Sequence, residues 1–95
     1  NVTVYADGAV DRSPWGTGTS ARLAWLHANG GVEAGQPWVH ESIIGTTFTG
    51  TVLEASTIAG IPAVVTEIAG RGFVTGLHQF LVDPEDPTAG GFLVR

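Results

Sequence analysis

The sequence predicts an α+β fold in which a β-barrel-like sheet wraps around one central α-helix. Three observations predict it. One stretch, residues 18–29, has helical composition and carries apolar side chains on two opposed faces. Six short runs rich in Val, Ile, Phe and Thr accompany it, five of them downstream. Fourteen glycines and five prolines punctuate only 95 residues, the density of a turn-rich β protein. At this length there is room for one domain at most.

The elements follow in order. Val2 to Ala6 alternates β-branched and aromatic residues and breaks at Asp7-Gly8, a strand entering a turn. Asp11-Arg12-Ser13-Pro14 is an extended loop, because Pro14 keeps Ser13 out of helical φ/ψ. Gly16 to Ser20 supplies glycine and hydroxyl residues for a helix start. Ala and Leu fill the helix that follows, and Gly30-Gly31 ends it. Ala21, Ala24, Trp25 and Ala28 share one side of this helix, with Leu23 and Leu26 opposite. A helix patterned this way is sandwiched or surrounded.

From Gln36 onward the texture is β. Strands are expected at Trp38 to Glu41, Thr47 to Glu54, Ala63 to Ile68, Phe73 to Val82 and Phe92 to Val94. Gly45, Gly60-Ile61-Pro62, Gly70-Arg71-Gly72 and Asp83 to Pro87 separate them. In the second of these, Phe48, Gly50 and Val52 share the face expected to be buried, and the threonines the other.

Composition excludes several functions. Nine carboxylates against four arginines and no lysine give a net charge of −5, which argues against nucleic acid and anionic membranes as partners. No apolar run approaches the roughly 20 residues of a membrane span, and no targeting signal is visible. Without cysteine there is no disulfide, thiolate metal site or cysteine nucleophile. The chain begins at Asn1 and holds no methionine, which fits a processed product or an excised part of a longer one.

The informative chemistry lies between Asp11 and Ser20, where a carboxylate, a Ser-Pro turn and Gly-Thr-Gly-Thr-Ser converge on a helix N-terminus. Free N–H groups and the helix dipole there can receive a carboxylate or phosphate at Gly16, Thr17 and Gly18. The other reading is that these residues only cap the helix. A Walker loop is excluded for want of lysine. Gly16-x-Gly18-x-x-Ala21 matches a dinucleotide fingerprint only weakly, because no strand runs directly into it. His27, His40 and His78 lack metal-ligand spacing and read as flank or strand-surface residues. Glu54, Glu67 and the Asp83/Glu85/Asp86 cluster read as solvated. No G-x-S-x-G elbow supports a Ser-His-Asp triad.

With these residues in view, Asp11-Arg12-Ser13-Pro14-Trp15-Gly16-Thr17-Gly18 resembles the second active-site motif of the proline racemase family, which comprises proline racemases, 4-hydroxyproline epimerases and trans-3-hydroxyproline dehydratases. The likeness extends through His40 to Thr46, Phe48-Thr49-Gly50, Thr75-Gly76, Phe80, Asp83 to Pro87 and Gly91-Phe92, and so covers nearly the whole chain. It implies residues 1–95 as a partial domain, the second of two diaminopimelate epimerase-like lobes, each a barrel-like sheet around a helix, with the substrate between them.

The resemblance further implies cofactor-independent proton transfer at the Cα of proline or a hydroxyproline, with no metal, in a cytoplasmic enzyme. Asp11 would hold the ring nitrogen, and the amides of Gly16 and Thr17 the carboxylate. The missing first lobe would be a partner, and so would a second copy of the protein. One catalytic residue comes from each lobe in this family, cysteine or threonine at the second position, and that position here is Trp15. Indole has an N–H donor and no base, so the chain as it stands is expected to be inactive. Trp15 reads in three ways: an error or engineered change in an otherwise intact fragment, a degenerate paralogue, or a contact for a different ligand. The intact motif favours the first. Thr66 is a lesser departure, at a place where the family often has proline.

Overall fold

The structure, a computed structural model, describes residues 1–94. Its elements in chain order are β1 (Val4–Tyr5), β2 (Ala9–Val10), α1 (Gly16–Ala28), β3 (Trp38–Glu41), β4 (Thr47–Ile58) and β5 (Ile61–Ala69). β1 and β2 form a small antiparallel hairpin around Asp7-Gly8; the rest form an antiparallel sheet in the order β3-β4-β5. The fold is α+β, as expected, with one helix and two sheets among the described residues.

The helix ends as its glycines dictate and begins earlier than its composition suggests. Gly30, at φ 72, donates to the carbonyl of His27, and Gly31 donates to that of Leu26. That pair of bonds is a Schellman stop, which requires a left-handed residue where glycine stands. At the other end α1 starts at Gly16 rather than near residue 18, with Trp15 as the N-cap. The first turn forms because Thr19 N–H reaches the Trp15 carbonyl at 2.8 Å.

β4 alternates as its sequence predicts: Gly50 and Val52 are buried and Phe48 half-buried, while Thr47 and Thr49 are exposed. That face receives α1. Leu23, Val32 and Val52 form the buried core, with Leu26, Trp38, Val64 and Ile68 packed around it. Gly50 permits the contact, since a Cβ there would lie 2.5 Å from Leu23 Cδ1. β4 and β5 run on to a two-residue turn at Ala59-Gly60, both at positive φ (50 and 78), the geometry of a type I′ hairpin. The expected break at Gly60-Ile61-Pro62 is therefore shifted, and Ile61 and Pro62 already belong to β5, an edge strand that tolerates proline.

Three expectations are corrected. No barrel closes around α1 among the described residues, because the sheet has three strands and covers one side of the helix. Consequently the Leu23 face alone is buried; Trp25 is 57% exposed, with the Arg22 guanidinium 5.2 Å above its ring. Finally, Phe73 to Val82 and Phe92 to Val94 are not strands. Their composition suits a sheet, but a strand is held by cross-strand partners, and no segment among the described residues pairs with them. Leu77, Phe80 and Leu81 are accordingly 96%, 85% and 87% exposed. The radius of gyration is 19.2 Å, against about 12 Å for a compact chain of this length. The accessible surface of 7723 Å² likewise exceeds the roughly 5,200 Å² of a compact monomer of this mass.

Candidate functional site: the head of the helix

The loop entering α1 is tied at almost every residue. Asp11 N–H donates to the Thr3 carbonyl at 3.1 Å. Ser13 N–H donates to Asp11 Oδ1 at 2.7 Å, and Trp15 N–H to Ser13 Oγ at 3.0 Å. Two bonds arrive from elsewhere: Thr46 Oγ1 donates to the Arg12 carbonyl at 2.7 Å, and Asn1 Nδ2 to the Pro14 carbonyl at 3.1 Å. Thr46 belongs to the turn between β3 and β4, which Ser42 closes by accepting the Ile44 and Thr46 N–H groups. The sheet thus fixes the height of the loop over the helix. Pro14 is fully buried beneath it.

Trp15 occupies the turn between loop and helix at φ 65 and ψ 118. For a bulky residue this is a sparsely populated region costing about 1–3 kcal/mol, and such strain persists only where the surroundings impose it. Here both flanking peptide groups are held, the N–H by Ser13 and the carbonyl by Thr19. The indole is half-buried and meets the Tyr5 ring edge-on at 6.1 Å.

Beyond Trp15, α1 has no side-chain cap. The first-turn N–H groups of Gly16, Thr17 and Gly18 have no side-chain acceptor among the described residues. The first turn holds no acidic residue, so no carboxylate of its own meets the positive end of the dipole.

Asp11 is held below the usual carboxylate value, chiefly by the Ser13 N–H bond and then by the Ser13 hydroxyl; burial opposes them, and the charge of Arg12 is the least of the lowering causes. It is ionised at neutral pH and can pair with an ammonium. Because its folded pKa is depressed, its contribution to loop stability is fully present above its ordinary value of 3.8 and is lost as pH falls through the lower folded value. Carboxyl and amide NMR titration should therefore show the Ser13 N–H shift and the Asp11 carboxyl moving together below that ordinary value, and not near pH 4–5.

The structure gathers these residues only in part. Asp11 lines a surface depression with Arg12, Thr46, Phe48, Arg71 and Phe73; Trp15, Gly16 and Thr17 line neither this one nor the depression beside α1. Other residues joined to the site gave no local signal. Thr19 is fully buried and touches Trp15 and His40; Thr66 on β5 donates to Ser20 Oγ at 3.0 Å, an anchor for the helix at a position expected to matter little. His40 is half-buried and not on the strand surface, whereas Glu54 and Glu67 are exposed as expected. No three His, Asp or Glu side chains among the described residues converge on a metal site, and no helix is long and apolar enough to cross a membrane.

Comparison with known proteins agrees with the motif. The chain is 47% identical over 95 residues to proline racemase of Clostridioides difficile, and 50% identical over 94 residues to trans-3-hydroxy-L-proline dehydratase of Bacillus cereus. These alignments take in 100% and 99% of this chain and 28% of each relative, so the chain spans little more than a quarter of their length. The crystal structure of a hydroxyproline epimerase from Agrobacterium vitis with bound trans-4-hydroxy-L-proline superposes with a TM-score of 0.77 at 48% identity, over 98% of this chain and 27% of that one. The family model described as proline racemase matches residues 1–93, and the chain belongs to that family.

Proposed function

We propose that these residues form part of the second lobe of a proline racemase-like enzyme that transfers a proton at the Cα of proline or a hydroxyproline, without metal or cofactor. The observation that carries the reading is the uncapped head of α1, tied through the Ser13 bonds to an ionised Asp11. Gly16 and Thr17 N–H groups would receive the substrate carboxylate, and Asp11 the ring ammonium. Neutralising the carboxylate with preorganised dipoles makes the α-proton easier to remove, because the charge that develops meets donors already in place. Asp11 orients the ring and keeps its nitrogen protonated.

The rest of the reading follows the same proposal. A diaminopimelate epimerase-like lobe, its barrel-like sheet completed around α1 by segments outside these residues, would cover the exposed Trp25 face and pair the 73–82 run. The first lobe would close the site and supply the second proton-transfer group; a second copy of the protein and a cytoplasmic setting complete it. Trp15 favours one rival, a site that binds a small imino acid without turning it over, since indole is no base. Dehydration of a 3-hydroxyproline is the other outcome that position 15 decides.

Calorimetry on the full-length polypeptide tests ligand class. Proline, trans-4-hydroxyproline or planar pyrrole-2-carboxylate should bind to the Trp15→Cys protein, and Asp11→Asn should weaken proline roughly 10- to 100-fold, the loss expected for a charge-assisted hydrogen bond. Unchanged affinity in Asp11→Asn, or no heat from any of the three, would sink the assignment.

A further inference from the structure

We propose that Thr19 and His40 are positioning residues for position 15, forming a relay that runs from the sheet through the buried hydroxyl to the carbonyl at the head of α1. Its bearing on catalysis rests on the function proposed above; the relay itself rests on geometry alone.

Thr19 is 0% exposed, and its Oγ1 lies 2.7 Å from the Trp15 carbonyl, 2.9 Å from His40 Nδ1 and 3.4 Å from the Pro14 carbonyl. A helical threonine often bonds the carbonyl four residues back. A buried one that is also met by a histidine from another element is a different matter. The hydroxyl has one proton, and the shortest of its carbonyl contacts claims it. Oγ1 can then only accept from His40, so His40 carries its proton on Nδ1.

The histidine is fixed in turn. It sits on β3 opposite Phe48 of β4, and its ring lies 4.7 Å from that of Trp38 at 31°. The groups facing it are Arg22 from α1, the neighbouring Glu41 and Asn1, around the depression these residues share. Nε2 remains the titrating atom, so the Nδ1–H bond to Thr19 survives in both charge states. Burial, with the positive charge of Arg22 adding to it, lowers the pKa of His40 and favours the neutral ring. The relay therefore presents the same geometry to position 15 on both sides of that titration.

The outcome is a residue clamped in left-handed backbone by two hydroxyls, Ser13 on its N–H and Thr19 on its carbonyl, with His40 fixing the second. A backbone held at both peptide groups fixes the direction of the Cα–Cβ bond at position 15, which proton transfer at a fixed substrate Cα requires.

Nitrogen-15 NMR of the full-length protein labelled at histidine, with His40 assigned by His40→Gln, reads the relay directly. Expected are a protonated Nδ1 and an unprotonated Nε2 in the neutral ring, retained in Thr19→Ser and lost in Thr19→Val. An Nε2–H tautomer in the parent, or a tautomer indifferent to Thr19→Val, overturns the relay. In the Trp15→Cys background, Thr19→Val should lower kcat for Cα exchange about 10- to 100-fold, the scale of a displacement near 1 Å. KM should stay near the parent value, and Thr19→Ser should recover most of the loss. An unchanged kcat in Thr19→Val, or an equal loss in Thr19→Ser, removes the positioning role. Absence of exchange in the Trp15→Cys parent fails the proposed function, and the tautomer then decides the relay by itself.

Discussion

Leu23→Ala should destabilise the full-length protein by about 2–5 kcal/mol in urea unfolding, the cost of a buried leucine whose cavity the surroundings refill only in part. Leu23 is one of three side chains in the buried hydrophobic core of the described residues, and it bridges α1 to Gly50 and Val52 of β4. Gly50, directly against it, has no side chain to move into the space, and Val52 is already fully buried. A loss of this size takes a large share of the 5–15 kcal/mol that holds a typical domain, so truncation at this one contact should free the helix carrying the site. Trp25→Ala is the informative contrast. In the described residues it removes a largely exposed ring; in the full-length protein the wrapped-helix reading expects a cost comparable to that of Leu23→Ala, since the remaining strands cover it. A cost below about 0.5 kcal/mol, the scale of an ordinary surface substitution, would show that face to be solvated and would contradict the barrel-like lobe.

Trp15→Cys should convert a binding site into a proton-transfer site. A general acid–base group placed at the substrate contributes about 10²–10⁴-fold, and the expected gain in Cα exchange over the Trp15 protein is of that order. The substitution leaves the flanking architecture in place. The Ser13 and Thr19 bonds to position 15 are made by its backbone, and a thiol is smaller than an indole. What changes is the contact with Tyr5, which an indole makes and a thiol does not. A modest fall in stability alongside the gain in exchange is therefore the expected pair of effects.

How much of this was legible in the sequence depends on the range of the interactions involved. The helix stop at Gly30-Gly31, the buried face of β4 and the motif from Asp11 to Gly18 are local patterns, and each appears where the residues put it. The early helix start was hidden because it depends on a strained φ at Trp15, a conformation that composition disfavours. The 73–82 run shows the opposite failure: β composition states what a segment can do, and pairing requires a partner that these residues do not contain. The helix pattern is the subtler case. Two apolar faces call for two covers, and the described residues provide one. Within the site, Asp11, Gly16 and Thr17 were marked by their motif, but Thr19–His40 and Ser20–Thr66 join positions 21 and 46 residues apart and leave no local trace.

The central claim is that the substrate-holding half of a proton-transfer site stands intact here around one incompetent side chain. Solvent-deuterium incorporation tests it most directly. Full-length Trp15→Cys protein and its Trp15 parent are incubated in D2O with L-proline and with trans-4-hydroxy-L-proline, and label at Cα is followed by proton NMR. The account predicts loss of the Cα proton signal in at least one substrate with Trp15→Cys and none with the parent. Binding of the same substrate by Trp15→Cys in calorimetry, with no deuterium at Cα, would contradict it.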